Sequence, residues 1–446
     1  MVTICFIPSL LWASEVILKS GQKIEGKIIE QTNKFVKIDS GIGVATTYYN
    51  DEIETVDGQK LNNEQGQNAK ELFERAVEKS QNMGENFPHD IIDNGWNPKG
   101  ENLVNQSKAA VNLFKQAIEK RIPGESLLLD KPKKPTAKDA YPQFFAGILL
   151  YQLLLVDIES ARSKGDIKTV EQDTIDAVAF IRSLADPDFQ IMLSTTLECM
   201  AVDLLSPSLQ RTFNDKGVKD KDFCEKLSKS FKKLLDSQPF LKRGYDEDSV
   251  ITLNSMDIEP GTYNKAYLPA ARERYEEKYA EFAPIIKEAI QLNEPDIFET
   301  RFAEFKQKSM SDTDSCDHPR TGDVSTGWAD CMLTIELSNI RLPITIFYYM
   351  YDRIKLLYLS SIIKQFEIDK GGFPSNLSTL IGGYIDNLPQ DDFSKGNDFV
   401  YKKSDHGFLL YGLGPSKKDS QGTYCLTGFD YEKSLSGGNI CLTIGE

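Results

Sequence analysis

The stretch "DKGGFPSNLSTLIGGYIDNLPQDDF", Asp369 to Phe393, decides how this chain divides. Upstream of it, Ile354, Leu357, Tyr358, Ile362 and Phe366 recur at helical spacing and form one apolar stripe. Gly371 and Gly372 stop that helix, and Phe373-Pro374 opens an extended segment. A short turn or helix follows, and "DFVYKKSDHGFLLYGLGP" (Asp398 to Pro415) alternates as a hairpin around Ser404 to Gly407. The pattern predicts an α+β end with a leading helix over residues 344–446.

Working outward, residues 61–343 carry apolar residues at i, i+3 and i+4 in most windows, which predicts a large all-α middle. Its longest apolar run, "FFAGILLYQLLLV" (Phe144 to Val156), is shorter than the ~20 residues a spanning helix needs, so a core helix is expected there. "AKELFERAVEK" (Ala69 to Lys79) and "AVNLFKQAIEK" (Ala110 to Lys120) agree at several positions, and "PIIKEAIQLNEP" (Pro284 to Pro295) echoes them. The pattern resembles the second helix of tetratricopeptide-type repeats, but the first-helix signature is absent and the spacing departs from a ~34-residue period. Similar amphipathic helices are the plainer reading.

Residues 14–60 alternate short β-branched stretches with turn signals at Ser20-Gly21, Thr32-Asn33, Ser40-Gly41 and Asn50-Asp51. Ile24, Gly26 and Ile28 share one face, as do Val36 and Ile38, so the unit buries one side by curling. With "SGQ" followed by "IEGKIIE", it resembles SH3-like or Sm-like small β-barrels. The fold class expected is therefore multidomain α+β: a small N-terminal barrel, a helical middle and an α+β end.

Ahead of the barrel, residues 1–13 place an apolar run before Trp12, Ala13 and Ser14, as a signal peptide does, although a basic leading region is missing. A buried N-terminal strand is the alternative. Cys5 lacks a lipobox, so no lipid anchor is expected. Removing the leader takes Cys5 from the seven cysteines and leaves an even set, which fits an oxidising compartment. Pairing of neighbours along the chain gives Cys199 with Cys224, Cys316 with Cys331 and Cys425 with Cys441. The alternative is buried free thiols in a reducing compartment.

A formal net charge of -15 opposes nucleic acid and anionic lipid. The densest basic run, "KPKKPTAK" (Lys131 to Lys138), reads as a proline-bearing linker. The three histidines, His89, His318 and His406, show no ligand or triad spacing, and no zincin, P-loop, dinucleotide or nucleophile-elbow motif occurs. Function, if catalytic, is sought in the loops Glu85 to Asn102 and Ser309 to Cys331. In the second, Asp312, Asp314 and Asp317 approach a calcium-loop pattern but lack its glycine and distal glutamate. Asp317, His318 and Arg320 form its only candidate acid-base group.

The C-terminal order is similar to the globular domain of the type II secretion major pseudopilin. The matching residues are Asp369, Gly371, Phe373, Pro374, Tyr384, Leu388, Pro389, Asp391 and Phe393. They continue through Tyr401, Gly407, Phe408, Leu410, Tyr411, Leu413, Gly414 and Pro415. The match covers about a fifth of the chain, by comparison with the ~100-residue size of a typical domain. The resemblance implies calcium in the loop after Pro415, where Asp419 and Asp430 are the available carboxylates, or a Cys425–Cys441 staple in its place. It departs from the family in the helix that should polymerise: Asn339, Arg341 and Pro343 interrupt "MLTIELSNIRLPITIFYYMYDR" (Met332 to Arg353).

The expectation is an exported, non-catalytic interaction or scaffold protein of the bacterial envelope, periplasmic or at the cell surface, beside a type II secretion or pilus-like system. Protein partners are expected, nucleic acid and a membrane span in the mature chain are not, and calcium is the one cofactor the resemblance raises. The alternatives are a secreted hydrolase with its site in the helical-domain loops, and a ligand-binding module.

Overall fold

The computed structural model describes residues 14–31, 35–41, 45–49, 52–60, 68–81, 83, 87–121, 137–184, 192–215, 217–236, 268–292, 300–301, 303–304, 341–426 and 437–445. The chain is mixed α+β and forms two compact units, Met1–Gln67 and Asn68–Glu446. The signal-peptide stretch, Cys316, Cys331, the Asp312–Arg320 group and Asp430 lie outside the described residues.

In the first unit, β1 (Ser14–Leu18), β2 (Lys23–Gln31), β3 (Phe35–Asp39) and β4 (Ala45–Tyr49) run as an antiparallel meander. β5 (Ile53–Val56) returns to the free edge of β1, and the two-residue β6 (Gln59–Lys60) extends it. The sheet order is β4-β3-β2-β1-β5-β6. A register shift between Ile28 and Glu30 lets the long β2 serve two partners. Val16, Val36, Ile38, Ile53 and Val56 are buried together, with Ile24 and Ile28 packed beside them.

The second unit begins with α1 (Ala69–Ser80), capped by Asn68, whose Oδ1 accepts the Glu71 N–H at 2.9 Å. After α2 (His89–Asn94) comes α3 (Gly100–Lys120), which packs on α1. Phe73 and Phe114, at equivalent positions of the two similar sequences, meet at a centroid distance of 6.2 Å, and Ala76 and Ala117 are fully buried. Small residues beside a large ring let the helices approach. α4 (Ala137–Ser163) carries the long apolar run; Leu150, Tyr151 and Leu153 to Val156 are buried, and the Tyr151 hydroxyl donates to Ala201 O at 2.9 Å. α5 (Ile167–Leu184), α6 (Met192–Asn214) and α7 (Lys221–Asp236) complete the surround, and α8 (Leu268–Leu292) buries Tyr275, Phe282 and Ile286.

The 30-residue α9 (Arg341–Lys370) packs on α6 and α7 and also on the C-terminal sheet. The boundary expected at residues 343 and 344 therefore falls within a helix whose packing joins both sides into one core. α9 ends at Gly371, whose φ of +74° accepts the left-handed turn that a side chain resists, and whose N–H donates to Glu367 O at 2.8 Å. A 3-10 helix (Leu377–Leu380) follows, capped by Asn376.

β7 (Val400–Lys403) and β8 (Phe408–Gly412) form the hairpin, closed by Ser404 N–H to Gly407 O at 2.9 Å. A Cβ on Gly407 would sit 1.8 Å from Ile444 O, so only glycine fits there. β10 (Asn439–Ile444) pairs antiparallel with β8 and parallel with β9 (Cys425–Leu426), in the order β7-β8-β10-β9.

Cys425 and Cys441 form a disulfide with Cα atoms 5.4 Å apart. Replacing both by serine is expected to lower stability by about 2 kcal/mol in urea unfolding, because the denatured chain regains the entropy of that closed loop. The bridge expected between Cys199 and Cys224 does not form: both are buried free thiols. The Cys199 thiol feels Arg353, and Cys224 feels Lys364, eleven positions further along α9. No helix among the described residues is long and apolar enough to cross a membrane.

Candidate functional site

The signature stretch lies against α9 as a polar latch. Lys355 on α9 donates to Asp352 Oδ1 at 3.0 Å, to Gln390 O at 2.8 Å and pairs with Asp392 Oδ2 at 2.6 Å. Its ammonium lies 4.5 Å from the centre of the Tyr351 ring. Asp352 in turn accepts the Asp392 N–H. Asp391 accepts the N–H of Phe393 and of Leu413, each at 2.8 Å, and so ties the latch to the end of β8. Burial pushes the carboxyls of Asp352 and Asp392 above the usual range, while Lys355 pulls both down. Further along, Tyr384 donates to Asp369 at 2.9 Å and Tyr401 to Pro374 O at 3.0 Å.

In front of this latch lies a cavity of about 690 Å³. Its walls are the last turn of α7 (Lys232, Leu235, Asp236), one face of α9 (Tyr351, Lys355, Tyr358) and the loop Gly382 to Pro389. The Tyr351 hydroxyl is spent on Leu235 O at 3.2 Å, and Lys232 bonds to Asp236. Phenolic rings, aliphatic side chains and the exposed carboxylate of Asp386 remain to face an occupant. The arrangement can hold a ligand or a partner's side chains by packing and hydrogen bonding.

No protein-family model, curated protein or solved structure matches the chain.

The residues singled out from the sequence are dispersed. His89 begins α2, its ring 5.0 Å from Phe87. His406 sits in the hairpin turn and lines a second cavity, of about 720 Å³, with Phe213, Lys364, Phe373 and Gly445. Among the described residues no group of three or more His, Cys, Asp or Glu side chains is placed to hold a metal ion. Within Glu85 to Asn102, a place expected to carry function, His89–Asn94 folds as α2 and α3 begins at Gly100, with Gly95 to Lys99 as the link between them. Arg211 donates to the last carbonyls of α2, Ile92 O at 2.5 Å and Asp93 O at 2.9 Å, and pairs with buried Glu159 at 3.1 Å. This serves the helix terminus.

The buried thiols are poor nucleophiles, since burial raises Cys199 well above the ordinary range and Cys224 to about 12. A second buried cluster holds Arg353, which donates to Cys441 O at 2.9 Å and to Leu426 O at 3.5 Å, tying α9 to both disulfide-bearing strands. Asp203 on α6 lies 3.5 Å from its Nε and accepts the Tyr349 hydroxyl at 3.2 Å. Sequence reading passed over Asp352, Arg353 and Lys355. The signal was present as "YDRIK", three charges between the apolar runs "LPITIFYYM" and "LLYL".

Proposed function

We propose that the chain is an exported, non-catalytic interaction or scaffold protein of the bacterial envelope, acting beside a type II secretion or pilus-like system. An SH3-like barrel and a pseudopilin-like end flank its helices in this reading. The first is supported by the order β4-β3-β2-β1-β5, with a bent β2 shared between two halves of the sheet. The second is supported by the sequence of long helix, glycine stop, latch and disulfide-stapled sheet.

One observation carries the accessory role. α9, the helix such a domain would use to build a filament, is enclosed by its own chain: Ile344, Tyr349, Met350, Asp352, Ile354, Leu357 and Ile363 are all fully buried between α6, α7 and the sheet. A helix committed this way offers a neighbouring subunit little beyond the cavity face of Tyr351, Lys355 and Tyr358, so the domain docks rather than polymerises. The cavity in front of the latch is the docking place, and Ile381 beside its wall keeps 47% of its surface exposed. A second reading, a ligand-binding module, rests on the same cavity.

Affinity capture of the full chain from its native envelope, read by mass spectrometry, is expected to recover a component of a secretion or pilus-like assembly. Asp386→Arg, an exposed change in the cavity wall, should weaken that recovery without altering the melting temperature. Recovery of no such component, or equal recovery with the variant, contradicts the proposal.

A further inference from the structure

The loop between β8 and β9 is wrapped around one side chain. Asn439, the first residue of β10, has no exposed surface. Its Oδ1 accepts the N–H of Ser420 at 3.2 Å, the N–H of Gly422 at 3.1 Å and the Ser420 hydroxyl. Its Nδ2 donates to Leu413 O at 3.1 Å and Lys418 O at 3.2 Å, while its backbone N–H donates to Tyr424 O at 2.8 Å. Both protons and the oxygen of this amide are therefore in use.

The resemblance to pseudopilins implies calcium in this loop. Among the described residues, those of the loop do not fit one. A calcium ion takes about six to eight oxygen ligands, whereas here two inward carbonyls already meet N–H protons, and the inward N–H groups of Ser420 and Gly422 present positive charge to the same centre. Asp419 is turned to other work: its carboxylate accepts the Gln421 N–H at 2.6 Å.

We propose that Asn439 organises the Leu413–Tyr424 loop in the place of a cation, so that one amide and the Cys425–Cys441 bridge fix its shape whatever the calcium level. An amide suits the task because it supplies two donors and an acceptor from a single neutral group, where an ion supplies charge alone. The loop then presents its outer residues, with Tyr424 41% exposed, constantly rather than on a calcium signal.

Calorimetric titration of the oxidised full chain with calcium chloride tests this, alongside thermal melts in calcium and in chelator. The wild type is expected to give no saturable heat and one melting temperature in both buffers. Asn439→Asp sets a carboxylate oxygen against the carbonyls of Leu413 and Lys418; it should melt lower in chelator and regain part of the loss in millimolar calcium. Saturable calcium binding that raises the wild-type melting temperature overturns the proposal, as does an Asn439→Ala variant that melts with the wild type. The wild-type titration decides by itself should the aspartate variant fail to fold.

Discussion

Lys355→Met is expected to destabilise the protein by about 3–5 kcal/mol, the usual cost of breaking a buried ion pair from one side. The substitution keeps the volume of the side chain and removes an ammonium that meets both Asp352 and Asp392. Asp352 has no exposed surface, so water cannot replace the lost partner. The sign of the pH dependence follows. Burial already holds both carboxyls above their unfolded values, so each favours the fold when protonated and loses that contribution as pH rises through its folded-state value. Without Lys355 both values climb further. The deficit in urea unfolding should therefore be smallest in acid and grow toward neutral pH. Equal deficits at all pH values would show that lost packing, not lost charge compensation, is the cause.

Glu198→Met is expected to act in the opposite direction, stabilising the chain by about 3 kcal/mol at pH 7. Glu198 on α6 is 0% exposed, and neither carboxylate oxygen has a hydrogen-bond partner among the described residues. Burial alone pushes its carboxyl up to about 8. A raised value means stability that is complete below the ordinary glutamate range and is lost as pH rises through about 8. At pH 7 most of the loss has been incurred, because the unfolded chain ionises there while the folded one stays protonated. Methionine has similar volume and no proton to exchange. The gain in unfolding free energy should grow between pH 5 and pH 8 and level off above that, within the window set by these two values. A variant that gains nothing at pH 8 would mean that the carboxyl has a partner that offsets its burial.

These buried charges also show where sequence reading runs out. Features made by neighbours along the chain were legible: the stop at Gly371, the hairpin at Ser404 to Gly407, and the Cys425–Cys441 pair on adjoining strands. Each depends on local backbone chemistry. The latch was not legible, because Lys355 meets Gln390 and Asp392 across 35 and 37 positions, a distance that no periodicity encodes. Periodicity even pointed away from it, since an apolar stripe suggests one buried face, while α9 is enclosed on several and takes Thr345, Ser360 and Ser361 inside as well. Both serines satisfy their hydroxyls on carbonyls of their own helix, Leu357 O and Tyr358 O.

Proximity in sequence misled for Cys199 and Cys224, which α6 and α7 bury as free thiols. Asp419 was chosen for its charge alone, and the neutral Asn439 does the organising. The cavity itself was partly visible. Its loop, "GGYIDNLP", stood out for glycines and a proline, but its other walls come from α7 and α9, and only folding assembles them.

In the role proposed for the chain, α9 is an internal helix rather than a filament-forming one. Native-state hydrogen exchange on the full oxidised chain measures this directly. Amides of α9 from Ile344 to Phe366 are expected to exchange only through global unfolding, as slowly as those in the apolar core of α4. Rapid exchange of the first half of α9, with α4 still protected, would place that half outside the core and contradict the account.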